Sequence, residues 1–403
     1  MEWKEVDICQ LCDSVSETYK GNASEVVLIN TSDVLDGKCL NHEYVPNKKL
    51  KGQFKKTFRK GDILYSEIRP ANKRFCFVDF EPKDYIASTK LMVLRAHEDV
   101  DPQYLYQILR SNDTLTQLQM LAESRSGTFP QITYSELSNI MVSLPSQKAQ
   151  KNIVSILSSL DRKIELNNKI NADLEEMAQV IFKNWFVDFE SFKDGKFVDS
   201  ELGMIPEGWK VGRADDFYQI NIGKTPPRKE HKWFSTNPAD KIWVSIANMG
   251  NSGIFISDSS EYLTKEAVDS YNIIMVPRNT ILLSFKLTVG RVAIADKELT
   301  TNEAIARFIL SDDKYMEYLY LYLKNFDYNS LGSTSSIATA VNSKTIKGMQ
   351  MLQPSDKIID AFHIQVNPIF EKIRSLTKEN SRLSLLRDTL LPRLMSGELE
   401  VPE

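Results

Sequence analysis

The chain carries a weak twofold repeat with a period of about 210 residues. KGDILYSEIRPANKRFCFVD (60–79) followed by LMVLRAHEDVDPQYLYQILRS (91–111) has its counterpart in PRNTILLSFKLTVGRVAIAD (277–296) followed by RFILSDDKYMEYLYLYLKN (307–325). Each passage reads as alternating or continuous apolar strands, a turn, and an amphipathic helix ending in Tyr/Leu pairs. Arg74 and Arg291 fall at matching places, just before a strand. The parallel continues in SGTFPQITYSELSNIMVSLPS (126–146) and STSSIATAVNSKTIKGMQMLQPS (333–355): a Ser/Thr-rich loop, a short helix, a strand, then Pro-Ser opening a long helix. The order is therefore domain, long helix, domain, long helix.

Both long helices can be read in heptads. The first has seams Ile153, Leu160, Asn167, Leu174, Ile181 and Ile156, Lys163, Ile170, Met177. The second has Phe362, Ile369, Leu376, Leu383, Leu390 and Ile359, Val366, Ile373, Asn380. A 3–4 spacing kept over about five heptads favours a coiled coil, and a polar Asn at a seam position (Asn167, Asn380) fixes register. A helix over 146–186 spans roughly 60 Å. Pro392 ends the second helix or kinks its last turn. Two long helices, each following a globular unit, pair most simply antiparallel. The expectation is a mixed α+β fold: two similar domains separated by two long helices that form an antiparallel coiled coil, with pseudo-twofold symmetry. The competing arrangement is one helical bundle packed against both domains.

At 403 residues the chain has room for two or three cores. No run of apolar residues is long enough for a membrane span, and MEWKEVDICQ lacks the apolar stretch of a signal peptide. A cytoplasmic protein is expected. Cys9 and Cys12 form a CxxC, but Cys39 and Cys76 are single and distant. Reduced thiols and no metal are expected.

No catalytic constellation stands out. The four histidines (His42, His97, His231, His363) have neither ligand nor triad spacing, and no P-loop, GxGxxG after a strand, or methylase signature occurs. A Mg²⁺-dependent nuclease could start from Asp62 with Glu81 and Lys83, but Pro82 interrupts that strand. No catalytic residue is assigned.

What remains is binding chemistry. Net charge is −4, yet the charge is segregated. The stretch 44–61 holds Lys48, Lys49, Lys51, Lys55, Lys56, Arg59 and Lys60 with no acid, whereas 173–207 is rich in Asp and Glu. In GKTPPRKEHKWF, a Thr-Pro-Pro turn presents Lys224, Arg228, Lys229 and Lys232. Arg69, Lys73 and Arg74 form a third set, with Lys286 and Arg291 as their repeat partners. Such cations neutralise phosphates, and Lys or Arg can read base edges.

Several long stretches in the same order resemble the specificity subunits of Type I restriction–modification enzymes. LDRKIELNNKINADLEEMAQVIFKNWFVDFE (160–190) looks like the family's central conserved region. LGMIPEGWKVG (202–212), GKTPPR…W and IWVSIANM (242–249) look like the entry to a second target-recognition domain. LLRDTLLPRLMSGEL (385–399) looks like the C-terminal conserved region. The first domain's opening lacks the Gly-x-Thr-Pro turn of the second.

The resemblance implies target-recognition domains at 1–145 and 191–353 (with a linker over 191–207) and conserved helices at 146–190 and 354–403. It implies a non-catalytic chain that binds double-stranded DNA, each domain reading half of a bipartite asymmetric target while the helices set the gap. Its partners would be two methyltransferase subunits and two motor-nuclease subunits, which would hold S-adenosylmethionine, ATP and Mg²⁺; this chain would hold no cofactor. Asn167, Ile170, Leu174, Met177, Ile181, Trp185, Ile373, Leu376, Asn380 and Leu383 are the candidates for docking those partners or for the coiled coil itself. For Phe186, packing where the helix meets the second domain is expected. The alternatives are a single-chain methyltransferase or nuclease with a cryptic motif, and a scaffold whose domains bind protein.

Overall fold

The computed structural model describes residues 3–47, 52–124, 130–331 and 341–401. The chain divides into two compact units. The first combines 1–164 with 382–403, and the second is 165–381.

The first unit is built on an antiparallel sheet of β1 (Cys12–Val15), β2 (Ile63–Ser66), β3 (Phe75–Phe77) and β4 (Leu91–Ala96), in the order β1-β4-β2-β3. Helices α1 (Pro102–Arg110) and α2 (Asn112–Glu123) and the first part of α3 (Gln147–Phe186) belong to the same unit. The strands are apolar almost throughout because both sheet faces are covered. Ile63, Tyr65, Met92 and Leu94 join the core with α1 and α2, while Leu64, Leu91 and Val93 point to a second core with Val27, Ile29 and Ala87. The period-2 alternation of a strand thus divides one apolar run between two cores. That second core sits on a four-stranded sheet in which Glu25–Ile29 and Tyr85–Ser88 run parallel.

The second unit repeats the plan. Strands β5 (Gln219–Ile222), β6 (Ile281–Ser284), β7 (Val292–Ala295) and β8 (Ile305–Ile309) are ordered β5-β8-β6-β7, and Phe255–Ile256 adds in parallel to β7. Ile281, Leu283 and Phe308 face the core that holds α4 (Met316–Asn325), while Leu282, Ala293 and Ile305 face the other side. Lys241–Val244 pairs parallel with Thr300–Thr301 in the companion sheet. Even the closing ribbons correspond: Lys4–Asp7 pairs with Met141–Leu144, and Lys210–Arg213 with Gln350–Gln353. The sequence repeat is a repeat of topology in the four core strands, the parallel pair of the companion sheet and the closing ribbon.

The long helices are α3 and α5 (Asp356–Met395), 40 residues each. In the second unit they run antiparallel. Phe186 lies 4.8 Å from Phe362 between ring centroids, and at the other end Asn167 Nδ2 donates to Asn380 Oδ1 at 2.8 Å. The two seam asparagines therefore meet each other. In the first unit, Asp161 of α3 accepts from Arg387 of α5 at 2.8 Å, and Ile153 and Leu157 share a core with Leu391 and Leu394.

The buried stripe drifts from strict heptads. Met177, at a seam position in the heptad reading, is 53% exposed, and Ala178, Phe182 and Phe186 take the buried line. A straight helix of 3.6 residues per turn slips by about 20° per heptad, enough to rotate a seam residue outward within two or three heptads. Pro392 does not end α5, which continues to Met395.

Candidate nucleic-acid interface

In the first unit Lys48, Lys49 and Lys51 lie outside the described residues. Lys55 is exposed on the strand Phe54–Lys56, but Lys56 turns inward, its Nζ donating to the carbonyls of Leu91 (2.8 Å) and Thr89 (3.2 Å). Burial lowers its pKa. Lys60 is exposed, as is Arg59, whose N–H donates to Asp62 Oδ2 at 2.8 Å. Asp62 itself is buried and receives both Nε and Nη2 of Arg95 at 2.8 Å, a fork that occupies both carboxylate oxygens.

The loop joining β2 to β3 carries Arg69 and Lys73, both exposed and both in left-handed backbone (φ 46° and 52°). It is braced from behind. Arg69 N–H donates to Pro130 O, Ile68 bridges to Gln131, and Ala71 N–H donates to Gln119 Oε1.

Arg74 and Arg291 do occupy equivalent positions. Ser66 N–H donates to Arg74 O at 2.8 Å, and Ser284 N–H to Arg291 O at 2.9 Å. Both guanidinium groups face carbonyls of their own unit: Arg74 donates to Ser32 O and Val34 O, and Arg291 to Ile246 O at 2.8 Å. Each bolts down the segment that follows a parallel strand of the companion sheet. The matched arginines are a shared structural device, with part of their donor capacity already committed.

In the second unit the loop opening at Gly223 is pressed against the backbone of Thr301 and Asn302, where an added Cβ would lie 2.0 Å from Asn302 O. Lys224 Nζ reaches Tyr271 O and Asn272 O, and the Thr225 hydroxyl bonds Glu303. Arg228 forks onto Glu261 (2.8 and 3.0 Å) and stacks within 4.4 Å of the rings of Phe234 and Trp243. Lys232 stands 4.1 Å above Trp233. Lys229 is exposed beside them. These contacts fix the loop's shape and leave the charges at its surface. Lys286 is exposed on the β6–β7 loop.

The arrangement can hold a polyanion. Cys9 is exposed and Cys12 buried, and among the described residues no group of three or more His, Cys, Asp or Glu is placed to hold a metal. His42 bonds Tyr85, His97 bonds Gln10 O, and His363 bonds the buried Glu317 at 2.7 Å. No described helix is long and apolar enough to cross a membrane.

On the helices, Ile373 and Leu376 are buried, and Ile170, Leu174, Ile181, Trp185, Asn380 and Leu383 are half-buried. Phe186 is buried against Trp209, Tyr318 and Phe362, with Trp185 at the edge of that cluster beside Phe192. Met177 is thus the exposed apolar member of the docking set. Val180, one turn on, and Ile364 are exposed as well. A seam-only reading passes over both, although apolar residues off the seam were the available signal.

The family model described as the Type I restriction modification DNA specificity domain matches residues 2–176 and 206–363. The Type I restriction enzyme HindI specificity subunit of Haemophilus influenzae is 34% identical over 461 aligned positions, covering 99% of this chain and 100% of that one. The MjaIX specificity subunit of Methanocaldococcus jannaschii is 29% identical, covering 90% and 85%. A crystal structure of the Type I restriction-modification system S subunit from M. genitalium superposes with a TM-score of 0.54 at 15% identity, covering 100% of this chain and 97% of that one, which supports the likeness of fold.

Proposed function

The chain belongs to the Type I restriction modification DNA specificity family, and from that premise we propose that it reads a bipartite asymmetric DNA target, one half-site per unit. It is the specificity component of a Type I complex and is itself non-catalytic. The reading rests above all on the duplicated topology, in which two units with the same strand order carry exposed basic residues on matching loops. Lys55, Arg59, Lys60, Lys73, Lys229 and Lys286 neutralise phosphates, and loop side chains select bases. The recognition domains occupy 1–145 and 191–353. The helices at 146–190 and 354–403 set the spacing and receive the partners, with Met177 and Val180 on the exposed face of α3.

Two methyltransferase subunits and two motor-nuclease subunits complete the assembly in the cytoplasm, and S-adenosylmethionine, ATP and Mg²⁺ belong to those partners. A cryptic nuclease in this chain has no support: Asp62, its obvious starting carboxylate, is enclosed by Arg95.

Co-expression with the cognate methyltransferase and genome-wide mapping of methylated adenines tests the reading. One split, asymmetric motif is expected. Methylation without a sequence rule, or none, would overturn it. Binding should also weaken steeply with salt, by about 10³–10⁵ between 50 and 200 mM for a protein making 6–10 phosphate contacts.

A further inference from the structure

The β6–β7 hairpin ends in Lys286-Leu287-Thr288-Val289. Leu287 is 100% exposed, with φ 60°. Thr288 N–H donates to Lys286 O at 2.7 Å, closing a three-residue turn across it. This is the positive-φ form of the γ-turn, rare and strained. On folding grounds leucine is the wrong residue here. Glycine or asparagine adopts left-handed backbone more cheaply, and neither leaves a branched hydrocarbon in water.

The root of the tip is firmly made. Ser284 Oγ donates to Thr288 O at 2.6 Å and accepts from Arg291 N–H at 3.0 Å, Gly290 N–H donates to Ser284 O, and Arg291 is tied to Ile246 O. Strain and apolar exposure are therefore held in place, which is how functional positions are commonly built.

The repeat sharpens the point. In both loops the third residue after the matched serine has a positive φ: Arg69 (46°) after Ser66 in the first unit, Leu287 (60°) after Ser284 in the second. The positive φ is shared; the turn around it and the side chain it presents are not. A position that differs between two domains reading different half-sites, on a shared scaffold, is where discrimination belongs.

Building on the DNA-reading function above, we propose that Leu287 is a specificity-determining residue. The hairpin tip enters the major groove, Leu287 packs on the 5-methyl group of a thymine, and Lys286 rests on a flanking phosphate. A two-stranded ribbon fits that groove, and only there is the thymine methyl displayed.

The test uses the complex with the methyltransferase and the mapped target, the half-site of the second unit being assigned by exchanging residues 204–350. Each thymine in that half-site is replaced by uracil, which removes the methyl alone. At one position uracil should weaken binding by the native complex about fourfold, the worth of one buried methyl. Leu287→Ala should weaken binding to the thymine duplex similarly and be indifferent to uracil there. Leu287→Asn, better suited to left-handed backbone, should melt no lower than the native protein while binding more weakly, which separates recognition from folding. A half-site without thymine, native affinity in Leu287→Ala, or a uracil effect that persists in Leu287→Ala would each overturn the proposal. A native complex with no sequence-specific binding would overturn the DNA-reading function itself, before Leu287 is touched.

Discussion

Burial pushes the Cys12 thiol up to about 12, with Asp13 and Cys9 adding to the effect, whereas a hydrogen bond with Cys76 lowers Cys39. A thiol raised in the folded state keeps its proton there while the unfolded thiol ionises. Its contribution to stability is therefore full below pH 9 and lost as pH rises from 9 towards 12. At pH 8, iodoacetamide should label Cys9, which is exposed, and Cys39 in the folded protein, and reach the buried Cys12 and Cys76 only on unfolding. Peptide mass mapping checks this, and fast labelling of Cys12 in folded protein contradicts it. Asp62 supplies a second test. Asp62→Ala leaves the Arg95 guanidinium with Glu17 as its one acidic partner among the described residues. Because Arg95 is partly exposed, a loss of about 2–3 kcal/mol is expected in urea unfolding, below the figure for a fully buried pair. Lys56, Arg74 and Arg291 show why single residues were hard to place. Each looks like a surface cation in sequence, and the carbonyls that hold it come from Leu91, Ser32 and Ile246, brought close only by the sheets. Leu287 is illegible in sequence because a lone leucine between Lys and Thr signals nothing until its backbone conformation is known.

At the scale of elements, sequence periodicity was a good guide. The strands of both halves were legible because a sheet covered on two faces needs continuous apolar runs, and the long helices because their apolar stripe persists for about ten turns. Periodicity does not supply rotation about the helix axis: it points Met177 inward, where Ala178 is the buried residue. The Asn167–Asn380 contact is the exception: two polar residues on apolar seams were visible in sequence, and they meet. Replacing both by leucine should stabilise the fold by about 1–3 kcal/mol while loosening the choice of register. Asn167→Leu alone should cost about 1–2 kcal/mol, because Asn380 Oδ1 loses its donor. Urea midpoints decide it. A double variant no more stable than the native protein would show that the pair does not oppose burial.

For the whole molecule, exchanging residues 204–350 for those of a relative should alter one half of the methylated motif and leave the other intact. Methylation mapping reads this directly, and a change in both halves would sink the assignment of one unit to one half-site. The division of the chain has another consequence. The second unit is one unbroken segment, 165–381, whereas the first draws on 1–164 and 382–403. Leu391, Leu394 and Val401 belong to the same core as Ile8 and Leu105. A ribosome delivers these two pieces with the whole of 165–381 between them. The unit whose synthesis starts first thus cannot close its core until after the other is complete, and in the interval its uncovered apolar surface depends on whatever else in the cell will shield it.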